Sequence, residues 1–444
     1  MNDSGTVQDA SVAGEQVDSR ALYRKIGLRL IPYIFILYIL AYLDRVNVGF
    51  AALEMKRDLK LSDTVYGTGA GIFFLGSSLF DLPSNLLLGK VGPRLWIARI
   101  MITWGMIATG MAWAAGPHSF FALRFFLGVS EAGFFPGMIL YLTYWFPSKE
   151  RARAVATFMT ATAIAGVVGA PLSSALLKLE GFVGLHGWQW LFISEGVPTI
   201  LMGISVLFVL RDHPDDAPWL SDPEKKWLDE ELQRDREAGG ADNNHHVLDA
   251  FKMPMVWVLA GIFFLEQVGV YTVNLWMPLL LNTFVHAGAG PGAASLIARY
   301  ATVPYVAAAI FMVAVGWNSD RTGERRWHIA GCMLLAAAGF GWASHASSLP
   351  TALCAMTLAA MGFWSIMGPF WALPTQVLGG QGAAGGVAII TMVGGIGGFT
   401  GPFMTGKLKD LTHSFQAGLL AIAGLAILGA LLCAALRKPA SEAK

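Results

Sequence analysis

Twelve stretches of this chain are long and apolar enough to cross a membrane as helices, at about residues 29–50, 64–88, 96–114, 118–144, 152–176, 188–210, 254–280, 296–317, 327–345, 350–375, 385–406 and 414–436. A hydrocarbon core of about 30 Å takes roughly 20 helical residues at about 1.5 Å each. A β-barrel would instead show segments of about ten residues with alternating polarity. These stretches are longer and continuously apolar. Composition agrees, with 55% hydrophobic and 14% charged residues, against about 45–50% and about 25% in a soluble domain. The fold class expected is an all-α membrane protein of twelve transmembrane helices, with the lipid bilayer as its surroundings. A net charge of +1 offers no basic field for nucleic acid.

Basic residues in the short connections set the expected orientation. One side collects Arg24, Lys25, Arg29, Lys90, Arg94, Lys149, Arg151, Arg153, Arg321, Arg325, Arg326, Arg437 and Lys438. The other is poorer, although Lys56, Arg57 and Lys60 blur the contrast. Both termini and the long middle loop are therefore expected in the cytoplasm. The expected organisation is a flexible tail (1–21), a six-helix bundle (22–210), a connecting loop (211–250), a second six-helix bundle (251–438) and a short tail (439–444). The first twenty residues carry four acids and no basic run before an apolar one, so they do not read as a signal peptide. "GKVGPR" (89–94) and "GWNSDRTGERR" (316–326) follow the second span of each half. That echo predicts an internal duplication. In the loop, Ser221 and Glu224 form an S-x-x-E capping box, which predicts a short surface helix with Trp227, Leu228 and Leu232 on its apolar face.

Ionisable residues inside spans cost a few kcal/mol on insertion scales, so each requires a partner, a wet cavity or a function. Asp44, Arg45, Asp81, Arg124, Glu131 and Glu195 lie in the first half and Glu266 in the second. Asp44 and Arg45 sit about 22 Å into the first span. Arg124 and Glu131 are seven residues apart on one face of the fourth, which puts Arg124 at nearly the depth of Asp44. Two readings follow. Asp44–Arg124 and Arg45–Glu131 are permanent ion pairs tying the helices together, or the arginines receive a substrate carboxylate while an acid takes up a proton. Arginine suits the second role through its permanent charge and planar fork. Glu195 reads as a helix brace, and Asp81, beside Pro83 and Asn85, as structural or gating. Glu266 and Gln267, with Tyr271 and Asn274 at helical spacing, form a polar wall from the second half, and Trp364 of the tenth span is a further candidate contact.

Other features carry less. The glycine runs 379–386 and 394–402 lack the Lys-Ser/Thr pair and preceding strand of a phosphate loop, and read as surfaces for close helix approach. Cys332, Cys354 and Cys433 read as small core residues, and His245 and His246 as loop histidines rather than metal ligands. No catalytic or metal-spaced set stands outside the spans, so neither an enzyme nor a cofactor is expected.

"YLDRVNVGFA", "RFFLGVSEAGFFPGMILYLTYWFP", "GWQWLFISEGVP" and "VGWNSDRTGERR" together resemble the anion:cation symporter family of the major facilitator superfamily, particularly its tartrate, phthalate and hydroxyphenylacetate permease branch. The likeness covers about residues 22–438. It implies two bundles with alternating access, and uptake of a small organic carboxylate with protons across a bacterial inner membrane, with no further cofactor. From the D-R-x-N element it implies that Asp44 couples protons and that Arg45 binds carboxylate, with Asn47 beside them. From R-x-x-x-x-x-x-E it implies support by Arg124 and a second proton site at Glu131. Gly316, Asp320, Arg321 and Gly323 match the superfamily's G-x-x-x-D-R-x-G gating loop, while Pro93 replaces the acid usual in the corresponding first-half loop. Sugar-acid carriers of this kind often show N-x-x-G-N in the eleventh span; here Thr391 and Gly395 stand in those places, which favours an aromatic or sparsely hydroxylated acid. A monomer is expected. An anion exchanger and a transporter-like sensor are the alternatives.

Overall fold

A computed structural model describes residues 17–238, 250–285, 293–377 and 379–436. Its helices are α1 (Ser19–Asp58), α2 (Asp63–Val91), α3 (Pro93–Gly110), α4 (Pro117–Glu131), α5 (Phe134–Thr143), α6 (Ser148–Leu176), α7 (Gly187–Val209), α8 (Asp222–Ala238), α9 (Pro254–Asn282), α10 (Ala293–Thr322), α11 (Arg326–Ala343), α12 (Leu349–Val377), α13 (Gly379–Thr412) and α14 (Gln416–Ala435). No strand occurs among the described residues. Among the described residues, eleven helical segments are long and apolar enough to span a membrane. The twelfth expected span, 327–345, is α11, whose opening Arg326, Trp327 and His328 lower its mean hydropathy. It packs between α12 and α14. The chain is a multi-pass helical membrane protein of two six-helix bundles.

The halves repeat one terminal device. Arg94 at the start of α3 donates to the Leu207 carbonyl at 2.7 Å, and Arg326 at the start of α11 donates to the carbonyls of Ala434 and Leu436. Each arginine thus satisfies carbonyls that the last helix of its bundle leaves unpaired. Beside Pro93, Asp212 from beyond α7 accepts from the Arg94 amide at 2.8 Å.

The connection between bundles is strapped to the first. Ser221 donates its amide to Glu224 at 2.8 Å, the reciprocal bond of the capping box. Glu224 also pairs with Lys25 at 2.7 Å, Trp227 meets Tyr23 at 5.9 Å between ring centroids, and Leu228 and Leu232 are buried. His245 and His246 lie outside the described residues.

The expected fourth span is two helices. Glu131 closes α4, Ala132 turns to ψ 134°, and Gly133 takes φ +82° before α5 begins. The polar groups freed there are recovered from α2. Gly133 donates to Asp81 at 2.7 Å, and Ser84 donates to the Ala132 carbonyl at 2.6 Å. Asp81 therefore supports the backbone immediately after Glu131. A methyl at Gly133 would meet Ser84 as well as the left-handed backbone. Gly133→Ala should cost about 1–2 kcal/mol from backbone alone and lower the thermal midpoint of the detergent-solubilised protein. Gly331→Ala, which lies inside a helix and meets open space, should not lower that midpoint.

Candidate substrate and proton site

The four charged residues expected to share one cluster between the first and fourth spans do meet. The Arg45 Nε donates to Glu131 at 2.8 Å and its Nη2 bonds the same oxygen. Glu131's side chain is closed to solvent, whereas Arg45 keeps 17% of its side chain accessible. An incoming anion can therefore reach Arg45 but not its partner. The Tyr271 hydroxyl, from α9 in the other bundle, lies beside the same guanidinium. Tyr38 and Tyr42, seven and three residues before Arg45, are buried on its side of α1.

Asp44 and Arg124 are neighbours without a direct bond. Asp44 Oδ2 accepts from the Trp104 indole at 2.9 Å, and Oδ1 has no partner among the described residues. Arg124 donates from Nη2 to the Ala70 carbonyl at 3.1 Å and lies 4.8 Å from the Phe73 ring centre, with Nε and Nη1 unpartnered. Phe73 also takes Arg45 at 5.8 Å. One aromatic ring thus contacts two like charges, favourably for each. Of the two ion pairs considered from sequence, Arg45–Glu131 is bonded and Asp44–Arg124 is not.

The other candidates divide. Asn274 accepts from Tyr305 at 2.9 Å, and Trp364 packs on Tyr305 at 5.8 Å; both lie against Tyr42. Asn47 is fully buried and accepts from Ser173 of α6 at 2.9 Å. Gln267 lies on the glycine face of α13, against Gly394 and Gly397. The Thr391 hydroxyl returns to its own helix, at 2.9 Å from the Val387 carbonyl. Gly395 presses on Ser78, leaving no room for a side chain. Asp320 pairs with Arg325 at 2.7 Å, Arg321 lies over Trp317 at 5.5 Å, Gly316 meets open space, and Gly323 turns the chain at φ +69°. The Glu195 carboxyl group braces nothing through hydrogen bonds: both its buried oxygens are unpartnered among the described residues, and it lies near Asp44.

The bundles join at the end of the helices opposite the start of α1 and the end of α14. Asp410 of α13 accepts from the amides of Asp63 at 3.1 Å and Thr64 at 2.7 Å, at the start of α2. Lys409 pairs with Asp63 at 3.1 Å, which also holds Lys56. Tyr66 donates to the Leu275 carbonyl at 2.9 Å, and Ser174 to that of Ser295 at 2.8 Å. Glycines 67, 71, 395, 398 and 406 line the α2–α13 contact, which is the close approach read from the second glycine run.

Sequence reasoning missed Trp104, Phe73, Tyr38 and Tyr42 as neighbours of the charges. The two tyrosines carried a usable signal, since i−3 and i−7 from Arg45 share its helix face. Trp104 and Phe73 lie on other helices and had none.

Residues 34–402 match the family model described as Major Facilitator Superfamily. The chain belongs to that superfamily. Its members are transporters rather than enzymes, and their substrate and ion sites lie near the bilayer midplane between repeats. The chain is 46% identical to an Agrobacterium vitis protein named "Putative tartrate transporter", over 96% of each chain. It is 38% identical to a quinolone resistance transporter of Acinetobacter baumannii, over 92% of this chain and 93% of that one. In fold it is similar to the Escherichia coli xylose transporter XylE, with TM-score 0.76 and 12% identity over 95% of this chain and 100% of the other.

Proposed function

We propose that this superfamily member is a proton-coupled symporter of a small organic carboxylate, with Arg45 as the carboxylate ligand and Asp44 and Glu131 as the proton carriers. The observation that carries this reading is the partly accessible guanidinium of Arg45, which bonds the enclosed Glu131 and still faces the site. A substrate carboxylate competes with Glu131 for Arg45. Protonating Glu131 removes that competitor, so each ligand eases the binding of the other. Tyr271 lets the opposite bundle sense whether Arg45 is occupied. Arg124, at 1% exposure, is too enclosed to take substrate directly and holds the field around Asp44.

In this reading the protein acts as a monomer in an inner membrane, and its basic connections favour a cytoplasmic side for the chain ends and the α7–α9 connection. The charge cluster of Lys56, Asp63, Lys409 and Asp410 then seals the periplasmic side, and the arrangement is inward-facing. Asp320, Arg321, Gly316 and Gly323 form the opposing cytoplasmic gate, paired within its own bundle here. A cysteine at the exposed Lys226 of α8 tests this orientation: it should react with an impermeant reagent only from the cytoplasmic side, and labelling of intact cells would overturn it.

Carboxylate chemistry agrees with the name of the Agrobacterium vitis relative. Tyr42, Tyr271 and Trp364, with Gln267 and Thr391 as further contacts, form the rest of the substrate surface, and the enclosed Asn47 and Asn274 support it from behind. Since Thr391 is bonded to its own helix and Gly395 has no side chain, few groups remain to pair a row of hydroxyls, and unpaired hydroxyls are costly to desolvate. Short or aromatic carboxylates should therefore inhibit uptake more strongly than a six-carbon sugar acid. Competition by tartrate, hydroxyphenylacetate and gluconate in proteoliposomes measures this, and strongest inhibition by gluconate would contradict it.

A further inference from the structure

We propose that Trp104 is a positioning residue that assigns different roles to the two oxygens of Asp44: its indole N–H occupies Oδ2 and leaves Oδ1 as the proton-accepting atom. The proposal rests on the proton-coupled reading above and adds to it the atom and its holder. Trp104 is fully buried on α3, and its Nε1 donates to Oδ2 at 2.9 Å. A buried indole N–H needs an acceptor. Here that acceptor is a carboxylate in the middle of a span, while the other oxygen is unpartnered. The ring is fixed in turn by Phe134, edge-on at 5.7 Å, at the start of α5, just past the break that follows Glu131. One rigid side chain therefore links Asp44 on α1 to the backbone break beside the second proton carrier.

The charged and titratable groups around Asp44 are Arg45 on its own helix, Arg124 and Glu131 on α4, and Glu195 on α7. None of them bonds either Asp44 oxygen. Proton loading then needs no rearrangement of the indole. A proton from solvent adds to Oδ1, an O–H bond forms, the carboxylate charge is lost, and Oδ2 continues to accept from Trp104. Release reverses the step. Because an N–H donor favours the ionised carboxylate, removing it should move proton loading to higher pH.

Trp104→Phe keeps the ring and deletes the donor. In proteoliposomes it should lower proton-driven accumulation about tenfold, the scale of one hydrogen bond to a charged group. Substrate exchange should fall less, and the pH profile should move upward. In the Asp44→Asn background, where exchange remains measurable, the same change should leave the pH profile of exchange unmoved. An unshifted pH profile in Trp104→Phe, or equal loss of exchange and accumulation, would overturn the proposal and leave Trp104 as packing only. Intrinsic fluorescence without substrate or gradient supplies an independent readout. A pH-dependent emission component should be present in the wild type and absent from both Asp44→Asn and Trp104→Phe. Its persistence in Asp44→Asn contradicts the proposal even if Trp104→Phe fails to assemble. Its presence in a wild type that shows no pH-driven accumulation would sink the coupling reading alone.

Discussion

Glu131→Gln should reduce proton-driven accumulation of substrate by about 100-fold, near the upper range of coupling between two ligands, while leaving exchange measurable. The amide is nearly isosteric with the protonated acid, and its oxygen can still accept from the Arg45 fork that bonds Glu131 at 2.8 Å. What it cannot do is release a proton and regain the charge that recaptures Arg45. The variant is therefore locked in the state that admits substrate, and transport loses its dependence on the proton gradient. Asp44→Asn should behave similarly, because the amide oxygen can keep the Trp104 bond while the free Oδ1 position no longer titrates. Counterflow with labelled substrate on both sides separates the lost function from the retained one. Wild-type accumulation by both variants would show that neither acid couples.

Arg45→Lys should remove most uptake despite conserving charge, whereas Arg124→Lys should be milder. Arg45 presents two N–H groups to Glu131 while facing Tyr271 and the open side of the site. An ammonium is a point charge on a flexible stem and cannot hold that fork. A loss of about 1.5–3 kcal/mol, the scale of a hydrogen bond to a charged group, corresponds to roughly 10–150-fold in apparent affinity. Arg124 makes one hydrogen bond, to the Ala70 carbonyl at 3.1 Å, and a cation–π contact that lysine can partly retain. Uptake kinetics measure both variants. Near-normal activity in both would favour the alternative in which Arg45–Glu131 is a permanent tie between α1 and α4.

The spans were legible because membrane insertion demands long apolar runs, and the charged cluster because ionisable groups inside such runs have few uses. Depth counting along two antiparallel spans brought Asp44, Arg45, Arg124 and Glu131 together. Which arginine bonds which acid was not legible, since side-chain pairing is decided by third parties from other helices: Trp104 takes Asp44, and Ala70 and Phe73 take Arg124. The α4–α5 break was also hidden. Gly133 lies in an apolar run that reads as continuous, and only the approach of Asp81 and Ser84 from α2 makes a turn there tolerable. The basic residues after the first span look anomalous in sequence because their acids are distant or unremarkable: Lys56 meets Asp63, Arg57 meets Asp58 at 3.2 Å, and Lys409 joins from the other bundle. The departure at Gly395 has a visible physical reason, since an amide side chain would strike Ser78.

Coupling between carboxylate and proton through Arg45 is most directly tested by imposing an inward proton gradient on proteoliposomes that contain only the purified protein and external labelled tartrate, hydroxyphenylacetate or another carboxylate identified by competition. The account predicts accumulation above the external concentration, collapse on adding a protonophore, and a substrate-dependent proton influx that disappears in Glu131→Gln. Uptake that merely equilibrates, at the same rate with and without the gradient, would contradict it.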